Sequence, residues 1–228
     1  MLFGATARKT FLKATVIGAL MAAGAAGAGR AESVAVQTTS VGRPAAAPAA
    51  SFPDATLSLT RQREGVTMRL DGIVTPAVEK RFLDALHALP QGQPMVLELS
   101  SPGGYTSAGY RMIDAILAER RAGRPVATRV KAGEACESMC VGLYLSGYPR
   151  YAAPSAEFMV HAPRGAQSGT MTLRSTRTMV KRLVDLGAAR GWIEKVKAAG
   201  GFSGNIDYRE RADSLTANKA NIVTDLIR

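Results

Sequence analysis

The stretch GEACESMCVGLYLSG, residues 133–147, holds both cysteines of the chain, Cys136 and Cys140, with Ser138 midway between them. Upstream lies Pro102-Gly103-Gly104, and downstream lies His161, one of two histidines. These residue types can perform acyl transfer, which needs a nucleophile, a base for its proton and donors for the oxyanion. If a helix begins at Ser138, its hydroxyl faces the crevice beyond the strand ends. The Met139 N–H is then a free first-turn donor in the positive field of the helix start. Gly103-Gly104 supplies a second donor, because two glycines after a proline let the backbone turn sharply and a substrate strand approach closely. His161, at the end of EFMVH, is the histidine placed to act as base, with an ordinary pKa of about 6.5.

Each piece also has a plainer use. A PGG run makes a turn, a serine at a helix start caps it, and a strand-end histidine packs. The G-x-S-x-G elbow of α/β-hydrolases is absent around Ser138. What points to a site is the ordered set, each member ending a strand. His87 lies within a helix beside the polar PQGQP turn and reads as structural or surface.

The elements that must position this set are legible. TLSLTRQREGVTMRLDGIV alternates on both sides of Arg63-Glu64-Gly65, as a β-hairpin does. TPAVEKRFLDALHAL begins with a cap-forming Thr75 and Pro76 and carries an apolar stripe of Val78, Phe82, Leu83, Leu86 and Leu89. PMVLEL is a short buried strand that runs through SSPGG into the helix SAGYRMIDAILAERRA. PVATRV is the next strand, the Gly133–Gly147 stretch supplies another helix, and AEFMVHAP is a strand. Residues 168–195 read as mainly helical, with a closing helix near 216–227. Strand–helix alternation of this kind predicts an α/β domain with a largely parallel sheet, whose sites gather beyond the carboxyl ends of the strands.

The chain has 228 residues, enough for one domain with a sizeable core, and 46% are hydrophobic. Aromatics make up 6%, too few to build a stacking platform for single-stranded nucleic acid. The net charge of +11 is scattered among acids and reads as a solvated basic surface, with no nucleic-acid partner. Two histidines and no second cysteine pair leave no ligand set for zinc, so neither metal nor cofactor is expected.

Residues 1–28 have the parts of an export signal. Arg8, Lys9 and Lys13 form a basic region, ATVIGALMAAG an apolar one, and Ala26-Gly27-Ala28 or Gly29-Arg30-Ala31 a cleavage site. An uncleaved membrane anchor is the alternative. ARKTFLK resembles a twin-arginine signal with Lys9 in place of the second arginine. Residues 29–53, rich in Ala and Pro, read as a linker, and 54–228 as the folded domain. A periplasmic or secreted protein is therefore expected. In such a compartment two lone cysteines often pair. Cys136 and Cys140 are then a small disulfide loop that fixes the Ser138 backbone, two buried thiols in a tight helix start, or a redox switch.

Three segments carry a resemblance. LELSSPGGYTSAG, GEACESMCVGLYLSG and PSAEFMVHAPRG resemble, in the same order, the signature segments of the Clp-type serine protease family, and the match runs over about residues 66–227. The resemblance implies a Clp/crotonase-like spiral of ββα units with a largely parallel sheet. It implies Ser138 as nucleophile, His161 as base, and the Gly104 and Met139 N–H groups as oxyanion hole. Counting back from SLTA, the family's aspartate falls on Tyr208. Asp207 is one residue away and is the choice made, with Asp213 and a Ser–His dyad as alternatives. By resemblance the chain is a homo-oligomer.

An exported chain without a P-loop pattern has no ATP-driven unfoldase partner outside the cytoplasm. The expected function is thus an ATP-independent serine hydrolase acting on peptides or unfolded proteins. The alternatives are a catalytically inactive scaffold that binds peptides or a partner protein, and a crotonase-type acyl-CoA enzyme.

Overall fold

The computed structural model of the chain describes residues 53–165 and 168–227. The export signal (1–28) and the linker (29–53) lie, save for Pro53, outside the described residues.

Strands β1 (Thr56–Gln62) and β2 (Gly65–Asp71) form the expected antiparallel hairpin. Helix α1 (Pro76–His87) starts where Thr75 caps it, the Val78 N–H donating to Thr75 Oγ1 at 3.3 Å. Its buried stripe is Val78, Phe82 and Leu86. Strand β3 (Met95–Ser100) then lies parallel to β2, and helix α2 (Thr106–Arg121) leads to β4 (Val126–Val130), parallel to β3. These two strand–helix–strand crossovers bury Leu97, Leu99, Met112, Ile113 and Ile116 in one core.

A short strand β5 (Ala135–Glu137) follows, then helix α3 (Met139–Leu145) and strand β6 (Arg150–Ala152). Strand β7 (Glu157–Val160) precedes helices α4 (Leu173–Asp185) and α5 (Arg190–Ala198). Strand β8 (Tyr208–Arg211), helix α6 (Ala212–Ala217) and strand β9 (Asp225–Leu226) close the chain. The strands form a six-stranded sheet in the order β1-β2-β3-β4-β6-β9, parallel apart from the first pair, and a three-stranded sheet β5-β7-β8. This is the Clp/crotonase-like α/β spiral expected from the sequence.

One expectation needs correction. The closing helix near 216–227 is absent: α6 ends at Ala217, and Lys219 and Asn221 both take φ of 53°. Arg150, buried at 5% exposure, holds that turn by donating to the carbonyls of Asn221 and Ile222 at 2.8 and 2.7 Å. The chain then adds β9 to the sheet edge beside β6. The stretch at 168–195 is mainly helical as expected, in two helices separated at Gly187, whose φ of 109° a side chain would resist.

Two carboxylates tie the elements together. Glu98 on β3 lies in register between Arg69 of β2 and Arg129 of β4. Both pair with it, as does Lys131 at 2.7 Å. Burial pushes its pKa up, but the bonds from Lys131, Arg69 and Arg129 outweigh that and hold it at about 2. Glu210 on β8 accepts from Lys195, Ser214, Tyr208, Asn218 and Trp192. Its burial is likewise outweighed, chiefly by Lys195, and its pKa is about 2. Glu210 thereby pins β8 to α5 and α6, which fixes one side of the region described next.

Candidate active site

The three-stranded sheet aligns three chain segments at one end. Parallel pairing sets Glu137 of β5 against Met159 of β7, and the Ser138 N–H donates to the Met159 carbonyl at 2.7 Å. Antiparallel pairing sets Val160 against Tyr208, so the next position of the same register places His161 opposite Asp207. Ser138 follows β5, His161 follows β7 and Asp207 precedes β8. Asp213 belongs to the other end of the pairing, beyond Glu157 and Arg211. At ~3.4 Å per residue that is more than ~13 Å along the strand from His161. Asp213 is occupied there by the Ser214 N–H and Arg211.

Ser138 is the residue before α3, and its hydroxyl makes no capping bond. The plainer use of this serine, as a helix cap, is therefore not the one found. Its backbone takes φ 54°, ψ −119°, a conformation rare for any residue but glycine. Such a turn costs of order 1–3 kcal/mol and persists only where its surroundings enforce it. The surroundings here are the Ser138–Met159 bond, the Glu137 N–H donating to the Ser101 carbonyl at 2.9 Å, and a disulfide between Cys136 and Cys140. The cysteine bracket is thus the disulfide loop among the alternatives drawn from sequence. The Glu137 carboxylate pairs with Arg209 across β7 and locks the row of residues just before Ser138 and His161.

The SPGG turn leaves one main-chain donor over. Ser101 N–H donates to Ala135 O, and Pro102 has none. Gly103 N–H donates to Ser101 Oγ at 3.1 Å, and Tyr105 N–H donates to Val74 O. Gly104 bridges Val74 through its neighbours, so its own N–H points to the other side. The glycines are required by contact as well as by φ. A Cβ on Gly103 would lie 2.9 Å from both Met139 N and Ser138 Cβ, and one on Gly104 would lie 2.2 Å from Val74 O. The glycine turn therefore presses directly against the nucleophile segment. The Met139 N–H, at the first position of α3, has no carbonyl one turn back to bond.

Ser138, Met139, Gly104 and His161 line one cavity of about 930 Å³. His161 is half-buried, and its Nδ1 lies 2.8 Å from the Ala162 carbonyl. With Nδ1 donating there, Nε2 is the proton acceptor. No hydrogen bond joins His161 to Ser138 or Asp207 among the described residues. Instead Asp207, 41% exposed, pairs at 3.3 Å with Arg164, which also donates to the Gly204 carbonyl at 3.0 Å. The structure thus brings together Ser138, His161, Gly104 and Met139. Asp207 stands at the matching register with its carboxylate turned to Arg164. Sequence reasoning missed Arg164, whose position three residues after the histidine was the available signal. It also missed Arg182, which interrupts the apolar spacing of Met179 and Leu183.

A serine on a strained strand-to-helix turn thus lies in one cavity with a strand-end histidine and two main-chain N–H groups, which are the residue types that acyl transfer requires. The family model described as Clp protease matches residues 56–185, and the chain belongs to this family. It is 32% identical over 107 residues to ATP-dependent Clp protease proteolytic subunit 1 of Chlamydia muridarum (strain MoPn / Nigg), covering 44% of this chain and 53% of that protein. To the protein of the same description from Chlamydia abortus (strain DSM 27085 / S26/3) it is 30% identical over 138 residues, 53% of this chain and 70% of that one. The chain thus spans about half the length of the first relative. Among solved structures, a mutant ClpP1 from Listeria monocytogenes superposes with a TM-score of 0.55 at 17% identity, over 71% of this chain and 91% of that chain. That likeness supports the fold.

Proposed function

We propose that this protein is an exported, ATP-independent serine peptidase that acts as a homo-oligomer on peptides or unfolded proteins. Ser138 attacks the scissile carbonyl, and His161 takes its proton at Nε2. The Gly104 and Met139 N–H groups hold the oxyanion that develops. Asp207 stabilises the imidazolium once its pair with Arg164 opens and the His161 ring turns from the Ala162 carbonyl. The observation that carries this reading is the Ser138 turn. A non-glycine residue is held at φ 54° with its hydroxyl making no capping bond, in one cavity with His161. Family membership supports the peptidase chemistry, and the basic-then-apolar N-terminus supports export.

Hydrolysis of quenched-fluorescent peptides without nucleotide tests it. Wild type is expected to cleave, with Ser138→Ala and His161→Ala reduced to background. Cleavage that survives in both variants would refute it. A second reading, a non-catalytic peptide-binding scaffold, is favoured by one observation: Asp207 and His161 each engage another group, Arg164 and the Ala162 carbonyl. Peptide binding by a wild type that cleaves nothing would establish that reading.

A further inference from the structure

The cavity has a marked charge asymmetry. Among the described residues no Asp or Glu lines it, while Arg164 and Arg182 both do. Arg164 is engaged with Asp207 and the Gly204 carbonyl. Arg182 is differently placed. It comes from α4, where Met179, Arg182 and Leu183, with Leu186 at the C-cap, follow the i, i+3, i+4, i+7 spacing of a single helix face, and all four border the cavity. A cation therefore sits within an otherwise apolar stripe.

Its guanidinium is held in place rather than free to wander. It stacks over the Tyr110 ring, 4.0 Å from the centroid, and donates from Nη1 to Asp114 at 3.1 Å. Asp114 is 58% exposed and does not border the cavity, so it anchors Arg182 from the solvent side. A guanidinium carries five N–H donors, and this anchoring uses one. Ile113 of α2 and Met139 and Gly142 of α3 border the same cavity. The absence of a side chain at Gly142 leaves room there, since a Cβ would already touch Ile113 Cδ1 at 3.0 Å.

We infer that the cavity selects acidic peptides, an apolar side chain filling the recess between α2, α3 and α4 while a nearby Asp or Glu bonds Arg182. Neighbouring side chains on one face of an extended peptide are ~7 Å apart. The acidic residue accordingly lies within two positions of the apolar one. The inference rests on the peptidase reading for its cleavage test and stands apart from it for its binding test.

The experiment uses three peptides identical except for Glu, Gln or Lys two residues from a fixed Leu. Their kcat/KM values are measured with wild type, Arg182→Gln and Arg182→Lys. Their affinities for Ser138→Ala are measured by fluorescence anisotropy. A charge-assisted bond at a half-exposed site gives about a tenfold preference for Glu over Gln. Lys is expected to be poorest. The Glu:Gln ratio should fall towards one in Arg182→Gln, survive in large part in Arg182→Lys, and shrink in high salt. Equal handling of Glu and Gln peptides, or a ratio unmoved by Arg182→Gln, overturns the inference and leaves the peptidase reading intact. If nothing is cleaved, that reading fails and the binding ratio decides the inference alone. Peptides that neither bind nor are cleaved overturn both.

Discussion

Removing the Cys136–Cys140 bridge tests what holds Ser138 in its turn. The bridge has a sequence separation of only 4 and encloses Ser138. Chain entropy for so small a loop gives about 2 kcal/mol of stabilisation. Ser138 at φ 54° costs of order 1–3 kcal/mol, the same size. The cross-link is therefore large enough to decide whether the serine keeps its turn. In Cys136→Ala/Cys140→Ala, a loss of about 2 kcal/mol lowers Tm by roughly 4–8 °C in a domain of this length. If the same 2 kcal/mol is released locally, the competent conformer falls by up to about 30-fold. The rate of labelling by a fluorophosphonate, followed by intact mass, is expected to fall by that factor. Wild type refolded under reducing conditions, which keeps both sulfur atoms, should show the same slowing. Labelling at the wild-type rate in both would refute the idea that the bridge positions Ser138, whatever its effect on Tm.

Other perturbations reach different parts of the site. Gly103→Ala puts a Cβ 2.7 Å from the Glu137 carbonyl at a φ of 90°, and should cost about 2–4 kcal/mol in a thermal melt. By pushing the glycine turn off Met139 it should also slow labelling at least about 100-fold. Asp207→Asn should lower peptide turnover between about tenfold and 10⁴-fold, while Asp213→Asn, at the far end of β8, leaves it within about twofold. Glu98 and Glu210, both held at about 2, lie below the ordinary glutamate value of about 4.3. Their stabilisation is complete above that ordinary value and is lost as pH falls through about 2. Denaturant melts at a series of pH values should therefore show Glu98→Gln and Glu210→Gln less stable than wild type at neutral pH. The gap should close in acid.

Much of this was legible in the sequence because it rests on local signals. Thr75-Pro76 announces α1, alternation about Gly65 announces the hairpin, and strand–helix alternation announces the parallel sheet. Ser138, His161 and the two glycines were found because each ends a strand. What escaped depends on contacts between distant residues. The three residues of β5 carry no pattern of their own and are a strand only because β7 pairs with them. The apolar spacing after Ser214 reads as a helix, yet Arg150, more than seventy residues earlier, holds Asn221 in a turn that ends it. Counting along the chain put the family's aspartate on Tyr208. In the structure Tyr208 pairs with Val160, and Asp207 is the residue just before β8. That Asp207 faces Arg164 was invisible, since the pair spans 43 residues and follows no periodicity.

The most direct test of the site is fluorophosphonate labelling of the purified protein beside Ser138→Ala and His161→Ala, with the modified residue identified by peptide mass. The expected result is one adduct per chain, on Ser138 Oγ, absent from Ser138→Ala and strongly slowed in His161→Ala. A folded wild type that stays unlabelled, or an adduct on another residue, would contradict the assignment of Ser138 as an activated nucleophile.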